Sequence, residues 1–208
     1  MKKSKRIKKS NSWKIKQHRD QFFKRSKTLG YRSRASFKLI ELNKKYNFIK
    51  KNTNLLDLGS SPGGWSQVAT EIIKEGRIMA LDIKDMEPVK NVKFLKGNIL
   101  EKSSKIAVTK FFNSTLDVII SDMAADTTGN KSLDSIRTNL LCTDIIYFSK
   151  EMLKPKGVLV SKIFMGEDFI EVKNLAKSIF KKVNFFKPES SRKESKETYL
   201  HCEILKSL

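Results

Sequence analysis

The 208-residue chain is poor in the residues that build disulfide frameworks and metal sites, since it has two cysteines and two histidines. Cys142 and Cys202 stand alone in apolar surroundings without CxxC spacing, and His18 and His201 form no ligand pair. These patterns predict buried thiols, no metal ion and a reducing compartment.

Long apolar runs are also missing. No stretch reaches the roughly 18 apolar residues that cross a bilayer, and the basic opening MKKSKRIKKS lacks the following ~7–15 apolar residues of a signal peptide. Four prolines and nine glycines exclude long low-complexity segments, and an apolar content of 39% suffices for one core. We therefore expect a globular, cytoplasmic, monomeric protein with no membrane contact.

Acidic residues are scarce: 22 Asp and Glu stand against 43 Lys and Arg, which leaves a net charge of +21. The first 34 residues hold 14 basic residues and one acid, Asp20. Such a like-charged segment is expected to be partly mobile and to bind a polyanion, with RNA the natural candidate. We assign residues 1–30 as a basic RNA-binding arm and residues 31–208 as the folded domain; a generally lysine-rich surface is the alternative.

Aromatic side chains interrupt the first 34 residues at Trp13, Phe22, Phe23 and Tyr31. Rings among lysines suit stacking on RNA bases. They equally fit a short amphipathic helix that packs Phe22 and Phe23 on the domain, and the sequence leaves both possibilities open.

Apolar stretches of strand length alternate with helical patterns along the domain. The predicted strands are residues 54–59, 77–83, 92–98, 116–123, 157–164, 182–187 and 198–205. Apolar positions recur with 3.6-residue spacing over 136–152 and 169–180, which indicates helices. This alternation predicts an α/β fold with a mostly parallel sheet and helices on both faces. Because no helical pattern separates the last two strands, the last strand is expected to run antiparallel.

The loop GSSPGG follows the first predicted strand, where ligands approach the backbone most closely in such sheets. Gly59, Gly63 and Gly64 remove side chains there, but their spacing differs from the GxGxxG fingerprint of a pyrophosphate-binding loop. Asp82 ends the second strand 23 residues after Gly59, where a carboxylate can accept both hydroxyls of a ribose. A nucleoside cofactor without phosphates, such as S-adenosylmethionine, fits these features. The alternative for Asp82 is an acid exposed to water.

Five separated motifs point together to a known family. They are RSRASFKLIEL (32–42), DLGSSPGGWSQ (57–67), SDMA (121–124), SKIFMGEDF (161–169) and SSRKESKETYL (190–200). In order and spacing they resemble the FtsJ/RrmJ-type RNA 2′-O-ribose methyltransferases. The resemblance implies a Rossmann-like, seven-stranded, S-adenosylmethionine-dependent methyltransferase fold. It also implies methylation of a ribose 2′-hydroxyl on a uridine of large-subunit (23S) ribosomal RNA, late in ribosome assembly.

The catalytic lysine, aspartate, lysine and glutamate of that family correspond to Lys38, Asp122, Lys162 and Glu197. By the resemblance, Lys162 removes the hydroxyl proton. Our hypothesis is that Asp122 orients Lys162 and the methyl donor, and that Lys38 and Glu197 position the ribose. If it were considered singly, each of these four charged residues would be interpreted as a solvated side chain. However, Lys162 interrupts the apolar strand VLVSKIF and Asp122 follows VIIS, so both emerge at the carboxyl edge of the sheet.

In addition to Gly59 of the loop, the same resemblance implies cofactor contacts at Gly63, Trp65, Asp82, Asn98 and Asp122. Related enzymes have an aspartate where this chain has Asn98. An amide oxygen can still accept a hydrogen bond from the adenine amine, without the added strength of a charge.

The RNA-binding rim is predicted to include Arg32, Arg34, Arg192, Lys193 and Lys196. Binding through these side chains should weaken steeply with salt. No base-reading motif is evident, so the shape of folded ribosomal RNA or of the large ribosomal subunit is expected to select the nucleotide.

Two other functions stay open from the sequence. One is a 2′-O-methyltransferase that acts on transfer RNA or a messenger cap, and the other is a non-catalytic RNA-binding factor in ribosome assembly. Occupation of all four catalytic positions favours an enzyme, and the compact length favours ribosomal RNA.

Overall fold

The computed structural model describes residues 20–206, and within that range it contains seven strands and six helices. The strands are β1 (Leu55–Leu58), β2 (Ile78–Asp82), β3 (Val92–Lys96), β4 (Leu116–Ser121), β5 (Leu153–Phe164), β6 (Phe180–Phe186) and β7 (Glu197–Leu205). The helices are α1 (Gln21–Thr28), α2 (Ser36–Tyr46), α3 (Gly64–Ile72), α4 (Lys102–Phe112), α5 (Lys131–Met152) and α6 (Phe169–Ile179). All seven predicted strands and both predicted helices are present.

The strands form one sheet in the order β3-β2-β1-β4-β5-β7-β6. The pairs from β3 to β5 are parallel, and β7 runs antiparallel to both β5 and β6. The predicted α/β fold, mostly parallel with an antiparallel last strand, is therefore confirmed. β5 begins earlier than predicted because Leu153 pairs with Leu116 ahead of an irregularity in register.

The two faces of the sheet carry separate apolar cores. Because side chains alternate along a strand, Leu56 and Leu58 of β1 enter one core and Leu55 enters the other. Helices α4, α5 and α6 cover the first core, and α2 and α3 cover the second. Each fully buried leucine stabilises the fold by about 1.5–3 kcal/mol, so β1 is held firmly at the centre of the sheet.

Helix α1 docks the described end of the basic segment on the domain. The Asp20 carboxylate caps the helix by accepting hydrogen bonds from the N–H groups of Phe22 (3.0 Å) and Phe23 (3.2 Å). The Phe22 ring packs against Phe37 of α2, with centroids 5.5 Å apart. Of the two possibilities that the sequence left open for Phe22, the structure therefore shows packing on the domain. Trp13 and the rest of residues 1–19 lie outside the described range, and the predicted boundary at residue 30 stays a prediction.

Cys142 and Cys202 are buried free thiols, as predicted. Among residues 20–206, no helix is long and apolar enough to span a membrane. In the same range, no group of three or more His, Cys, Asp or Glu is placed to hold a metal ion. His18 lies outside the described residues.

Candidate active site

A cavity of about 610 Å³ opens at the carboxyl edge of the sheet. Its wall is built from the loops that follow β1, β2, β3 and β4, together with part of α5. Four of the predicted cofactor contacts line it: Gly59, Asp82, Asn98 and Asp122. The volume lies in the range of small-molecule sites, roughly 300–1,000 Å³. We call this space the donor cavity.

Gly59 lets the loop after β1 pass close to the loop after β4. Its φ of +70° lies in the left-handed region that glycine adopts readily, and a Cβ there would lie 3.1 Å from Cα of Met123. A larger residue would therefore displace the backbone next to Asp122.

The Asp82 carboxylate at the end of β2 is fixed by backbone groups. Oδ2 accepts a hydrogen bond from the Ser61 N–H at 2.9 Å, and Oδ1 accepts one from the Lys84 N–H at 2.8 Å. An ionised carboxylate has about four acceptor positions, so both oxygens remain able to accept a ribose hydroxyl. Asp82 is only 9% exposed, which argues against the alternative of a solvated acid.

Asn98 follows β3 and stabilises the turn there, because its Oδ1 accepts a hydrogen bond from the Leu100 N–H at 3.0 Å. One lone pair of that oxygen remains for a further donor. Its contact with an adenine amine stays a prediction that this geometry permits.

Trp65 and Gly63 do not line the donor cavity. The Trp65 indole N–H donates to the Ala35 carbonyl at 2.7 Å, and its ring packs 5.7 Å from that of Tyr199. Gly63, with a φ of +108°, faces the Arg32 side chain. The packing of the Trp65 ring accounts for its absence from the cavity wall, and a contact of either residue with the cofactor stays a prediction.

The four predicted catalytic residues meet beside the donor cavity, although they come from distant parts of the chain. Lys162 Nζ lies 2.8 Å from Asp122 Oδ1, and Lys38 Nζ lies 2.9 Å from Glu197 Oε1. Lys38 Nζ also lies 3.8 Å from Asp122 Oδ1. One carboxylate oxygen of Asp122 therefore joins the two ion pairs into a single cluster.

The cluster keeps Asp122 ionised. Burial by itself raises the pKa of this carboxyl, but the ammonium groups of Lys162 and Lys38 and the hydrogen bonds from Lys162 and Tyr199 outweigh burial and lower the pKa below its usual value. Lys162 Nζ also donates to the backbone carbonyl of Asp122 at 2.7 Å. Two acceptors of one residue thus fix the direction of the Lys162 side chain.

Tyr199 belongs to the same cluster and was not predicted from the sequence. Its hydroxyl donates to Asp122 Oδ1 at 2.5 Å, and the side chain is fully buried. Burial and then the charges of Asp122 and Glu197 raise the pKa of this phenol well above its usual value, so it stays a donor. Its spacing from Glu197 was an available signal, because residues two apart on a strand share a face. Its pairing with Lys162 across β5 and β7 required the register.

Asp57 is a second residue that the sequence interpretation did not assign. It lies in β1 next to the Gly59 loop, is 1% exposed, and accepts a hydrogen bond from the Ser66 hydroxyl at 2.6 Å. Burial, with smaller contributions from the charges of Asp122 and Asp82, raises its pKa to about 7, although the Ser66 bond acts in the opposite direction. An acid inside the apolar run NLLDLG was the available signal.

The predicted RNA-binding residues fall into two groups. The Arg32 guanidinium donates to three backbone carbonyls, of Pro62, Glu87 and Pro88, so its observed role is to hold the loop next to Asp82. Arg34 pairs with Asp20 and donates to the Ser190 carbonyl. Arg192, Lys193 and Lys196 are exposed. For all five, contact with RNA stays a prediction.

A second cavity, of about 280 Å³, has Lys38 and Glu197 of the cluster in its wall. Asp122 lines the donor cavity. The cluster therefore contributes side chains to the walls of both cavities, an arrangement that suits transfer of a group from one bound molecule to another. We call the second space the acceptor cavity.

Known proteins are similar to this chain in sequence and fold. The family model described as FtsJ-like methyltransferase matches residues 31–204. Ribosomal RNA large subunit methyltransferase E of Pelagibacter ubique is 44% identical over 197 residues, which cover 95% of this chain and 97% of that protein. The crystal structure of a Plasmodium falciparum protein described as a ribosomal RNA methyltransferase has a TM-score of 0.73 at 32% identity, and the match covers 84% of this chain and 98% of that chain. Human methyltransferase-like protein 13, solved in complex with SAH, is similar in fold alone, at 15% identity and a TM-score of 0.58 over 81% of this chain and 79% of that chain.

The sheet, the two cavities and the charged cluster define an enzyme of the α/β methyltransferase class. The chain belongs to the FtsJ-like methyltransferase family. The resemblance inferred from the five motifs is thereby confirmed.

Proposed function

We propose that this protein transfers the methyl group of S-adenosylmethionine to a ribose 2′-hydroxyl of ribosomal RNA, on a uridine of the large-subunit (23S) RNA. The observation that carries the proposal is the single cluster of Lys38, Asp122, Lys162 and Glu197, whose members line both the donor cavity and the acceptor cavity. The 44% identity to an enzyme named for methylation of large-subunit ribosomal RNA supports the acceptor.

The residues of the donor cavity fit this methyl donor. Gly59 keeps the wall free of a side chain, Asp82 offers two oxygens to ribose hydroxyls, and Asn98 offers one to the adenine amine. Asp122 brings a negative charge beside the methionyl portion. When bound, S-adenosylmethionine supplies a methyl group that its sulfonium charge has already activated.

Lys162 is the proposed base. In its neutral form, its amine would take the proton of the 2′-hydroxyl as that oxygen is methylated, and bound S-adenosylmethionine would supply the methyl group and keep the electron pair of the broken bond on its sulfur. Asp122 orients the Lys162 side chain, because its carboxylate and its backbone carbonyl both contact Lys162 Nζ. Lys38 and Glu197 hold the ribose. Alignment of the reacting atoms and removal of one proton are the main tasks left to the protein.

The direct test is transfer of a labelled methyl group from S-adenosylmethionine to RNA, combined with mapping of 2′-O-methylated positions in cells with and without the protein. Loss of one uridine methylation in the 23S RNA is the expected result. Loss of a methylation in transfer RNA or at a messenger cap would show that one of these RNAs, and not 23S RNA, is the acceptor. Binding of RNA without any methyl transfer would show a non-catalytic assembly factor.

Timing and physical state follow from the same proposal. We expect the assembled large subunit to be a better substrate than naked 23S RNA, because no base-reading motif is present in the sequence. We also expect a monomer in the cytoplasm, where the buried free thiols of Cys142 and Cys202 persist. Sedimentation of the purified protein and methylation rates on the two substrates test these points.

A further inference from the structure

Helix α5 buries a polar face along its first half. Asp134, Ser135, Thr138 and Asn139 are each at most 8% exposed. Asp134 and Thr138 are four residues apart, as are Ser135 and Asn139, so the four side chains lie on one side of the helix. Polar groups are buried at a cost unless they are hydrogen-bonded. Three of these side chains have their partners in the chain that leaves β4 and β5 at the carboxyl edge of the sheet.

The loop after β4 is attached to this face at two points. The Ala125 N–H donates to the Thr138 hydroxyl at 3.2 Å, and the Thr128 N–H donates to Asp134 Oδ1 at 2.7 Å. Asp122 begins this loop, directly after the end of β4. Helix α5 therefore supports the segment that carries the shared carboxylate of the catalytic cluster.

Asn139 binds both main-chain groups of Phe164, the last residue of β5. The Phe164 N–H donates to Asn139 Oδ1 at 2.8 Å, and Asn139 Nδ2 donates to the Phe164 carbonyl at 3.0 Å. Nδ2 also donates to Asp168 Oδ1 at 2.9 Å. The Asn139 side chain is fully buried, and these three bonds satisfy its amide within the protein.

These bonds stand in for a strand that ends earlier than its neighbour. β4 ends at Ser121, which pairs with Ser161 of β5, and β5 continues for three more residues. On the other edge of β5, Phe164 is still paired with Glu197 of β7. Buried main-chain groups need a partner, and within residues 20–206 the Asn139 amide supplies to Phe164 what a longer β4 would have supplied.

The position of Lys162 depends on this end of β5. Lys162 lies two residues before Phe164 and therefore on the same face of the strand, and its Nζ contacts both the carboxylate and the backbone carbonyl of Asp122. Asn139 fixes the end of β5 to α5, and Thr138 fixes the loop after β4 to the same helix. One helix thus holds the two strand ends that carry the proposed base and its partner.

We propose that Asn139 is a positioning residue for methyl transfer, which holds the end of β5 so that Lys162 Nζ stays on Asp122 and faces the acceptor hydroxyl. Asp168 fixes the orientation of the Asn139 amide, because it accepts from Nδ2 and so directs Oδ1 toward the Phe164 N–H. The proposal rests on the proposed function for the reaction that Lys162 serves. Asn139 lines neither the donor cavity nor the acceptor cavity, so its effect passes through Lys162.

The kinetic test is Asn139→Ala in the full-length protein, with methylation of large-subunit RNA as the assay. The kcat should fall about 10-fold, since the hydrogen bonds to the end of β5 are lost. The KM for S-adenosylmethionine should change less than about 2-fold, because the donor cavity keeps its wall. Ser149→Ala is the matched control: Ser149 is a fully buried polar residue of the same helix, whose hydroxyl donates to the Ile146 carbonyl at 2.7 Å.

Substitutions of Asp168 test the same role at a position that is partly exposed, where folding is less at risk. Asp168→Asn keeps a side-chain oxygen that can accept from the Asn139 amide, so it should keep the wild-type kcat. Asp168→Ala removes that oxygen and should lower kcat about 3-fold. Thermal unfolding checks that every variant folds, and the Asp168 pair decides the question if Asn139→Ala does not.

NMR of the ¹⁵N-labelled protein gives a readout that needs no turnover. The Lys162 ammonium is held by two acceptors of Asp122, so its protons should exchange slowly with water. Asn139→Ala should speed this exchange about 10-fold, Asp168→Ala should speed it about 3-fold, and Ser149→Ala and Asp168→Asn should leave it unchanged.

The outcomes separate this role from the proposed function. An unchanged kcat, a fall in kcat without faster Lys162 exchange, or an equal effect in Ser149→Ala would overturn the positioning role. An equal loss in Asp168→Asn and Asp168→Ala would do the same. If Lys162 exchange depends on Asn139 but the wild-type protein transfers no methyl group to RNA, the hold on Lys162 stands and the proposed function falls.

Discussion

At the scale of single residues, the site depends on one shared carboxylate oxygen. Asp122 Oδ1 lies within 2.8 Å of Lys162 Nζ and 2.5 Å of the Tyr199 hydroxyl, and 3.8 Å from Lys38 Nζ. Partly buried charges are tolerated when each has a partner. The roles of these side chains are therefore coupled, and single substitutions should affect them as a unit.

Lys162→Ala should lower the turnover rate by about 10²–10⁴, because proton removal by a positioned base contributes in that range. Single-turnover methylation at saturating donor measures the effect. Lys154→Ala is the matched control. Lys154 lies on the same strand, but its Nζ pairs with Asp117 Oδ1 at a distance of 2.6 Å and takes no part in the cluster. An unchanged single-turnover rate in Lys162→Ala would rule out its role as the base.

Tyr199→Phe should lower kcat by about 3- to 10-fold, the equivalent of one hydrogen bond worth roughly 0.5–1.5 kcal/mol. The KM for the donor should change little, because Tyr199 positions Asp122 without lining the donor cavity. Tyr147→Phe on α5, where the side chain is half exposed, serves as the control. A rise in KM with kcat preserved would contradict a positioning role.

At the scale of secondary structure, α1 depends on its cap and on one ion pair. The Asp20 carboxylate accepts from two N–H groups at the start of the helix and pairs with Arg34. Since Arg34 also binds the Ser190 carbonyl, the beginning of α1 is connected to the wall of the acceptor cavity.

Asp20→Ala should destabilise α1 by about 0.5–2 kcal/mol through loss of the cap. Hydrogen exchange of the Phe22 and Phe23 amides measures this local opening. Asp20→Asn keeps an oxygen that can cap the helix but removes the negative charge, so it should protect these amides more than Asp20→Ala does. Equal exchange in both variants would mean that the ion pair, and not the cap, holds the helix.

Elements differed in how far the sequence could predict them. The seven strands were predicted because each is a short apolar run between turn-forming residues. The placement of β7 between β5 and β6 was not predicted, because the order of strands in a sheet depends on contacts between distant segments. For the same reason the three carbonyls that bind Arg32 were not foreseen, since they come from residues 62, 87 and 88. The predicted catalytic set was assigned because five motifs resemble those of the family in order and spacing, whereas the place of Tyr199 in the cluster required the register of β5 against β7.

At the scale of the whole molecule, a buried histidine links folding to pH. The His201 ring is fully buried and stacks on Tyr46 with centroids 3.8 Å apart. Neither ring nitrogen has a hydrogen-bond partner among residues 20–206, and the Glu203 Oε1 lies 3.6 Å from Nε2. Burial lowers the pKa of His201 to about 4, with Glu203 opposing part of the effect.

His201→Phe should flatten the pH dependence of stability. An unfolded histidine binds its proton near pH 6.5 and the folded one only near pH 4, so acid favours the unfolded chain between these values. The His201 contribution falls by roughly 2–3 kcal/mol between pH 7 and pH 4.5. Denaturant unfolding at both pH values should show this loss in the wild type and in His18→Gln, but not in His201→Phe. The same loss in all three would assign it to other groups.

The attachment of Asp20 to Arg34 has a geometric consequence for the nine basic residues that precede it. A peptide of 19 residues spans at most about 65 Å even at full extension. Whatever its conformation, this part of the chain is confined to a sphere of that radius centred near the mouth of the acceptor cavity. If this segment binds RNA, as its charge predicts, every phosphate that these lysines and arginines contact must lie in or next to that sphere, which sets an upper limit to the length of RNA that the segment can reach.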